Sequence, residues 1–133
     1  AQDAVRRGTA STLLARAGGR IEAITARLVA DAAAAGDALA AGVFHRAATY
    51  VGVGVANLLN LLNPAMVIIG GGVSKAGDLL LTPVRATARE RAFERPARDA
   101  RIVLSQLGDD AGAIGAATVA FLRTGSTGSR GSL

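Results

Sequence analysis

The sequence predicts an α/β protein, mostly helical, with two parallel strands. Three observations predict it. The first is Asn63-Pro64-Ala65-Met66-Val67-Ile68-Ile69-Gly70-Gly71-Gly72-Val73-Ser74, in which a short apolar run meets three glycines. Met66–Ile69 is β-branched and uncharged, as a strand buried on both faces would be. Pro64 marks its start, because proline has no N–H for the middle of a sheet. The second is Arg101-Ile102-Val103-Leu104-Ser105, another strand, separated from the first by a segment of helical length. Two strands joined by a helical crossover are parallel. The third is the stretch Ala38–Leu62, where apolar residues recur at helical spacing over many turns.

Taken in order, the chain opens with a helix over Asp3–Ala17, ended by Gly18-Gly19. Ile21–Ile24 links it to a second helix, Ala26–Ala35, which Thr25 can cap. Gly36 ends that helix and Asp37 caps the next, where the positive end of the helix dipole favours a carboxylate. In the long third helix the apolar positions are Val43, Ala47, Tyr50, Val51, Gly54, Leu58, Leu61 and Leu62. The small set Gly52, Gly54 and Ala56 lets a neighbouring backbone approach. Asn57, Asn60 and Asn63 suit caps and hydrogen bonds to loops, or ligand contacts. After the first strand a helix runs from Lys75 to about Phe93. Pro83 is expected to interrupt and restart it behind Thr82, and Pro96 to end it. Leu107-Gly108-Asp109-Asp110 turns into a last helix, Ala111–Leu122, rich in small residues. Residues 1–123 make the domain, and the Gly/Ser/Thr-rich stretch from Thr124 to Leu133 is expected to be a disordered tail.

The glycine turn is the candidate site. Glycines after a strand permit positive φ or let another group come within backbone distance. Ser74 can accept from a free N–H of the helix that follows. Strand, glycine turn and helix N-terminus together form a common ligand site of α/β proteins, although the same pattern also makes a plain tight turn.

Composition narrows the function classes. The chain has 133 residues, half of them apolar, yet nearly a quarter are alanine and only 3% are aromatic, so its core is thin for its length. It has no cysteine, which excludes disulfides and cysteine-ligated metal in these residues and suits a reducing cytoplasm. The one histidine, His45, cannot build a metal cluster alone and reads as a solvated helix residue. The net charge is +5, and Arg85–Arg101 holds six arginines and three acids. That segment could be taken for a polyanion patch, but its mixed signs suit a solvated helix face. Ala1–Arg20 lacks the uninterrupted apolar core of a signal peptide. Ala47–Val73 is uncharged and long enough to span a bilayer, yet it contains three asparagines, a proline and three adjacent glycines. A buried helix turning into a buried strand accounts for it better than a membrane span.

At this point the residues carry a resemblance. Asn63-Pro64, the strand, Gly70-Gly71-Gly72-Val73-Ser74 and Ala76-Gly77-Asp78-Leu79-Leu80 resemble the ROK family of bacterial sugar kinases and repressors. The run from Leu107 to Ala117 is similar to that family's last helix, and Gly36-Asp37 with the long helix fits it too. The resemblance covers roughly Ala1–Leu122. Within the family, Ala92-Phe93 and Leu107–Ala117 look most like bacterial glucokinases.

The resemblance implies the carboxyl-terminal half of an actin-like, ribonuclease-H-like ATPase fold. It places Gly70, Gly71 and Gly72 against the adenosine of ATP, with Val73 and Ser74 adjoining, and it makes Gly112–Ala117 a segment that packs the lobes together. It implies a magnesium ion with the ATP in the full-length protein and a hexose as the second substrate; apart from the resemblance, the apolar groups around much of the helix Ala38–Leu62 are expected to make a homo-oligomer, a dimer, through that helix. The family's amino-terminal phosphate loop, its Asn-Asp pair with the catalytic base, its second glycine-rich phosphate loop and its zinc motif are not in these residues. No aspartate here stands in the catalytic context, so no catalytic residue is assigned. The resemblance therefore implies the carboxyl-terminal part of a glucokinase. A sugar-responsive repressor, with nucleic acid as a partner, and a non-catalytic dimerising remnant are the alternatives.

Overall fold

The computed structural model describes residues 1–125. Seven helices and two strands follow in the order α1 (Gln2–Arg6), α2 (Leu13–Arg16), α3 (Ala26–Ala34), α4 (Ala38–Leu62), β1 (Met66–Ile69), α5 (Asp78–Arg91), α6 (Glu94–Asp99), β2 (Arg101–Leu104) and α7 (Ala111–Gly125). Short 3₁₀ turns at Ile21–Ala23, Gly72–Ala76 and Gly108–Asp110 fill the links. The strands pair in parallel, with Met66 opposite Arg101 and Ile69 opposite Leu104. The ladder extends one residue at each end, where Arg101 N–H donates to Ala65 O at 2.9 Å and Ser105 N–H to Ile69 O at 2.8 Å.

The amino-terminal helix expected over Asp3–Ala17 is two helices. Gly8, at φ +81°, breaks it. The residues between the two are recruited elsewhere: Thr12 N–H donates to Asp37 Oδ2 at 2.6 Å, the Thr12 hydroxyl donates to the same oxygen at 2.9 Å, and the Ser11 hydroxyl reaches both carboxylate oxygens. Side chains and N–H groups spent on a distant acceptor are lost to local helix formation. Asp37 caps α4 as expected, accepting from Ala40 N–H at 2.9 Å. The Ala40 and Thr12 N–H groups, helped by the two hydroxyls, hold this buried carboxyl far below the usual carboxylate range against the opposing pull of burial. Thr25 caps α3 by accepting from Leu28 N–H at 3.3 Å.

The core lies between α3, α4 and α5 and one face of the sheet. Leu13, Leu59 and Val84 are its largest fully buried side chains. α4 buries Ala40, Phe44, Ala48, Gly52, Val55, Ala56 and Leu59, steps of mostly four and three along one face. That is not the stripe expected from sequence: Ala47, Tyr50, Val51, Gly54, Leu58, Leu61 and Leu62 are exposed, and Val43 is only half-buried. The reason is close approach. At Gly52 an added Cβ would stand 2.6 Å from Thr87 Cβ and 2.9 Å from Val84 O, so α5 lies directly on a face made of small residues. Of the three small residues expected to permit this, Gly52 and Ala56 do so, whereas Gly54 faces open space.

Neither proline acts as expected. Pro83 lies inside a continuous α5. One main-chain bond is forgone there, and the burial of Leu80, Leu81, Val84, Thr87 and Ala88 holds the helix together. Pro96 sits in the first turn of α6, where an N–H would have no helical partner anyway, so it starts a helix rather than ending one. Asn60 Oδ1 accepts from Phe93 N–H at 2.7 Å and ties this link to α4, while Asn63 ends α4 in the left-handed region at φ 44°.

The strands, expected to be buried on both faces, are covered on one. Val67, Ile69, Ile102 and Leu104 pack on the core, while Met66 and Ile68 on the opposite face are exposed. α7 is exposed along most of its length: Gly112–Ala117 is exposed throughout, and Phe121 is 77% exposed. α7 runs to Gly125, two residues into the expected tail, whose remainder lies outside the described residues. No single helix among the described residues is long and apolar enough to cross a membrane; α3 and α4, which pass together on length and composition, meet at 117°.

Candidate functional site

β1 ends in the glycine turn. Gly71 has φ +86° and ψ −179°, a conformation that L side chains rarely adopt. An added Cβ at Gly70 would stand 3.5 Å from Ser105 Cβ, an ordinary contact, and at Gly72 it would meet open space. Packing within this chain therefore asks for glycine at none of the three and backbone conformation asks for it at Gly71 alone, while the bare backbone at Gly72 leaves room for another molecule. Ser74 is not a helix cap. Its N–H and its hydroxyl both donate to Gly71 O, at 3.0 and 2.7 Å, and close the 3₁₀ turn onto the glycines. Gly77, at φ +60°, then turns the chain into α5.

The turn faces α3 across a cavity of about 680 Å³, within the range of small-molecule sites. Gly72, Val73, Lys75 and Ala76 form one wall, and Ala26, Arg27, Ala30, Asp31 and Ala34 the other, with Phe44 and Leu79 between them. Of the five residues expected at a nucleotide, Gly72 and Val73 line this space. Gly70, Gly71 and Ser74 are not on its lining; they shape the turn that presents it. Two cations and one carboxylate border the cavity, with Arg27 Nε 4.0 Å from Asp31 Oδ2. The α3 wall was not expected. Its signal was present as alanine at positions 26, 30 and 34, a helix face without bulk.

Other candidates fall away from this place. His45 is exposed on α4, at a separate open groove with Arg46, Tyr50 and Arg91. The arginine-rich segment is solvated at most of its arginines, with Arg95 and Arg98 paired to Asp99, while Arg85 turns inward to Ile102 O. Among the described residues no group of three or more His, Cys, Asp or Glu side chains is placed to hold a metal, so the magnesium ion implied by the resemblance has no such ligand set here.

The ROK family profile matches residues 7–122. The chain belongs to the ROK family. Its ROK relatives include a glucokinase of Halalkalibacterium halodurans, 48% identical over 92 residues, which are 69% of this chain and 28% of the relative. A xylose repressor of Caldicellulosiruptor bescii is 35% identical over 71% of this chain and 24% of its own length. Among solved structures, a ROK glucokinase of Streptomyces griseus in complex with glucose and AMPPNP superposes with a TM-score of 0.76 at 35% identity, over 88% of this chain and 38% of that one. The fold is thus that of the actin-like ROK kinases, and the chain spans well under half the length of these relatives.

Proposed function

We propose that this chain is the carboxyl-terminal, nucleotide-binding part of an ATP-dependent glucokinase. The observation that carries the reading is the glycine turn, which presents bare backbone at Gly72 to a cavity of small-molecule size bordered by two cations. The glucokinases among its relatives and the AMPPNP and glucose of the S. griseus structure support it. In the full-length protein a glucose hydroxyl oxygen attacks the γ-phosphorus of ATP, the bond to the β,γ-bridging oxygen breaks, and ADP leaves. The hydroxyl proton goes to a base outside these residues. This chain binds and orients the adenosine end, where Gly70, Gly71 and Gly72 allow close approach and Val73 and Ser74 adjoin. Positioning of this kind is a large part of phosphoryl-transfer catalysis. The reading also carries a homodimer, formed through the bare large residues of α4, and a cytoplasmic protein.

Gly71→Val tests it. Valine resists positive φ, so the turn must rearrange. In the full-length protein we expect ATP affinity to fall about tenfold or more, the equivalent of about 1.4 kcal/mol, with glucose affinity within about twofold. Equal ATP affinity in variant and parent, measured by calorimetry, overturns the reading. A repressor is the second reading, favoured by the xylose repressor among the relatives. Glucose-dependent ATP consumption by the full-length protein decides for the kinase, and sugar-responsive DNA binding without turnover decides for the repressor.

A further inference from the structure

α4 carries a stripe that neither the core nor the glycine turn uses. Gly42, Arg46, Thr49 and Val53, spaced four, three and four residues apart, share one face of the helix. It is a different face from the one with Val51, Leu58 and Leu62. With His45, Tyr50 and Arg91 the stripe lines a groove of about 640 Å³, of small-molecule size. The groove shares no residue with the cavity at the glycine turn. Arg91 comes from the last turn of α5, and the close approach of α5 at Gly52 fixes the two helices against each other.

The groove is chemically one-sided. Two guanidiniums, an imidazole and a hydroxyl border it, and no carboxylate does. Elsewhere Arg6, Arg27, Arg95 and Arg98 each lie within 4.0 Å of a carboxylate, and Arg85 donates to Ile102 O. Arg46 and Arg91 make no ion pair or hydrogen bond among the described residues, so their donors are free for a ligand. Thr49 spends its proton on His45 O at 2.9 Å, which leaves its oxygen to accept from a ligand hydroxyl. Tyr50, 71% exposed, adds a bare aromatic ring.

We propose that this groove binds a small phosphate monoester, with Arg46 and Arg91 on the phosphate and the organic body against Tyr50. A guanidinium meets a phosphate through two parallel N–H···O bonds. His45 supplies a further N–H donor in either protonation state. The apolar face of a sugar or a base packs on an exposed aromatic ring. A hexose phosphate and a nucleoside monophosphate both present this chemistry. The site is separate from the nucleotide reading above and does not rest on it, because the two share no residue.

Calorimetry on the full-length protein and its variants tests the proposal. Glucose and adenosine are present in excess, to fill the proposed reaction site without supplying a phosphate. The probes are glucose 6-phosphate, AMP and inorganic phosphate. At least one of the two esters is expected to bind at a single site per chain, about threefold or more tighter than inorganic phosphate. The tighter ester names the source. Arg46→Gln and Arg91→Gln are each expected to weaken that ester about tenfold, the scale of a hydrogen bond between charged groups. Tyr50→Ala is expected to weaken it about threefold and to leave inorganic phosphate unchanged. All three residues are exposed, so their variants leave the core intact. Absence of binding by both esters, inorganic phosphate binding as tightly as either, or parental affinity for the ester in any of the three variants overturns the proposal.

Discussion

The two outer edges of the sheet are treated differently by the chain. Backbone groups alternate in direction along a strand, so with Arg101 and Ser105 turned toward β1, Ile102 and Leu104 turn outward. Arg85 on α5 caps one carbonyl of that edge: its Nε and Nη2 donate to Ile102 O at 2.9 and 2.6 Å. By the same alternation Met66 and Ile68 on β1 turn their backbone groups outward, and no hydrogen bond to them is seen among the described residues. Ile68 is also 62% exposed. α4 repeats the contrast, with small residues packed under α5 on one face and Leu61, 81% exposed, on another. An edge covered by its own chain is a finished edge, and a long apolar edge left bare is a place for another strand. The outer edge is capped at one carbonyl, Ile102 O, on the α5–β2 side and bare on the β1–α4 side, as suits a chain spanning 38% of a solved relative.

The comparison breaks most severely at Gly52. Alanine there must push Thr87 and the Val84 carbonyl away from contacts of 2.6 and 2.9 Å. Overpacking of this kind costs about 1–3 kcal/mol, and valine costs more. Urea unfolding is expected to show the loss for Gly52→Ala and no cooperative transition for Gly52→Val. Gly54, two residues on, meets nothing within 4 Å. Gly54→Ala is expected to hold or slightly raise stability, since alanine is the better helix former by about 1 kcal/mol.

Asp37 is next in size. Asp37→Ala removes the α4 cap and orphans the Thr12 N–H together, an expected loss of about 2–3 kcal/mol. Its pH dependence has a definite sign. The folded carboxyl is held below its unfolded value by the Ala40 and Thr12 N–H groups. Its contribution is thus fully present above the unfolded value of about 3.9 and is lost as pH falls below it toward the folded value. Denaturant midpoints measured from pH 6 down to pH 2.5 are expected to fall below about pH 4. Asp37→Asn is expected to flatten that limb.

Much of this was legible in the sequence. β1, β2, α3 and α4 fall where periodicity, Thr25, Asp37 and the glycines put them, because each of those signals acts within a few residues. Long-range signals were not legible. Nothing near Ser11 or Thr12 announces that Asp37, 25 residues on, will take their hydrogen bonds. Apolar spacing on α4 fits two faces, and the larger residues mark the wrong one; only the approach of α5 selects the face with Gly52. Pro83 and Pro96 read alike as breakers, and their different places in their helices separate them. At the candidate site the glycine turn was read from its own residues. The α3 wall was missed because alanines draw no attention until something faces them.

Arg85 sharpens the contrast between the edges at a smaller magnitude. Arg85→Met keeps the apolar stem against α5 and removes both donors, leaving Ile102 O on an open edge. A loss of about 1–2 kcal/mol is expected, together with stronger self-association at high protein concentration as a second strand edge opens.

Ile68→Lys has the smallest expected effect and distinguishes most directly between a finished and an unfinished surface. Ile68 is exposed on β1 and is not among the apolar groups packed on the core, so nothing in this chain loses a contact when it changes. For the chain by itself the expected shift in unfolding free energy is within about 0.5 kcal/mol. A lysine on a bare edge strand also opposes pairing with another strand, so size-exclusion profiles are expected to show less association than the parent across concentration. In the full-length protein the same substitution is expected to be far more costly, because a neighbouring strand and its covering layer would then place the ammonium in an apolar interface. Equal and small effects in both settings would show that β1 is an edge in the whole protein as well. The contrast between the two sides of the sheet would then be a feature of this surface alone, with no bearing on what is joined to it.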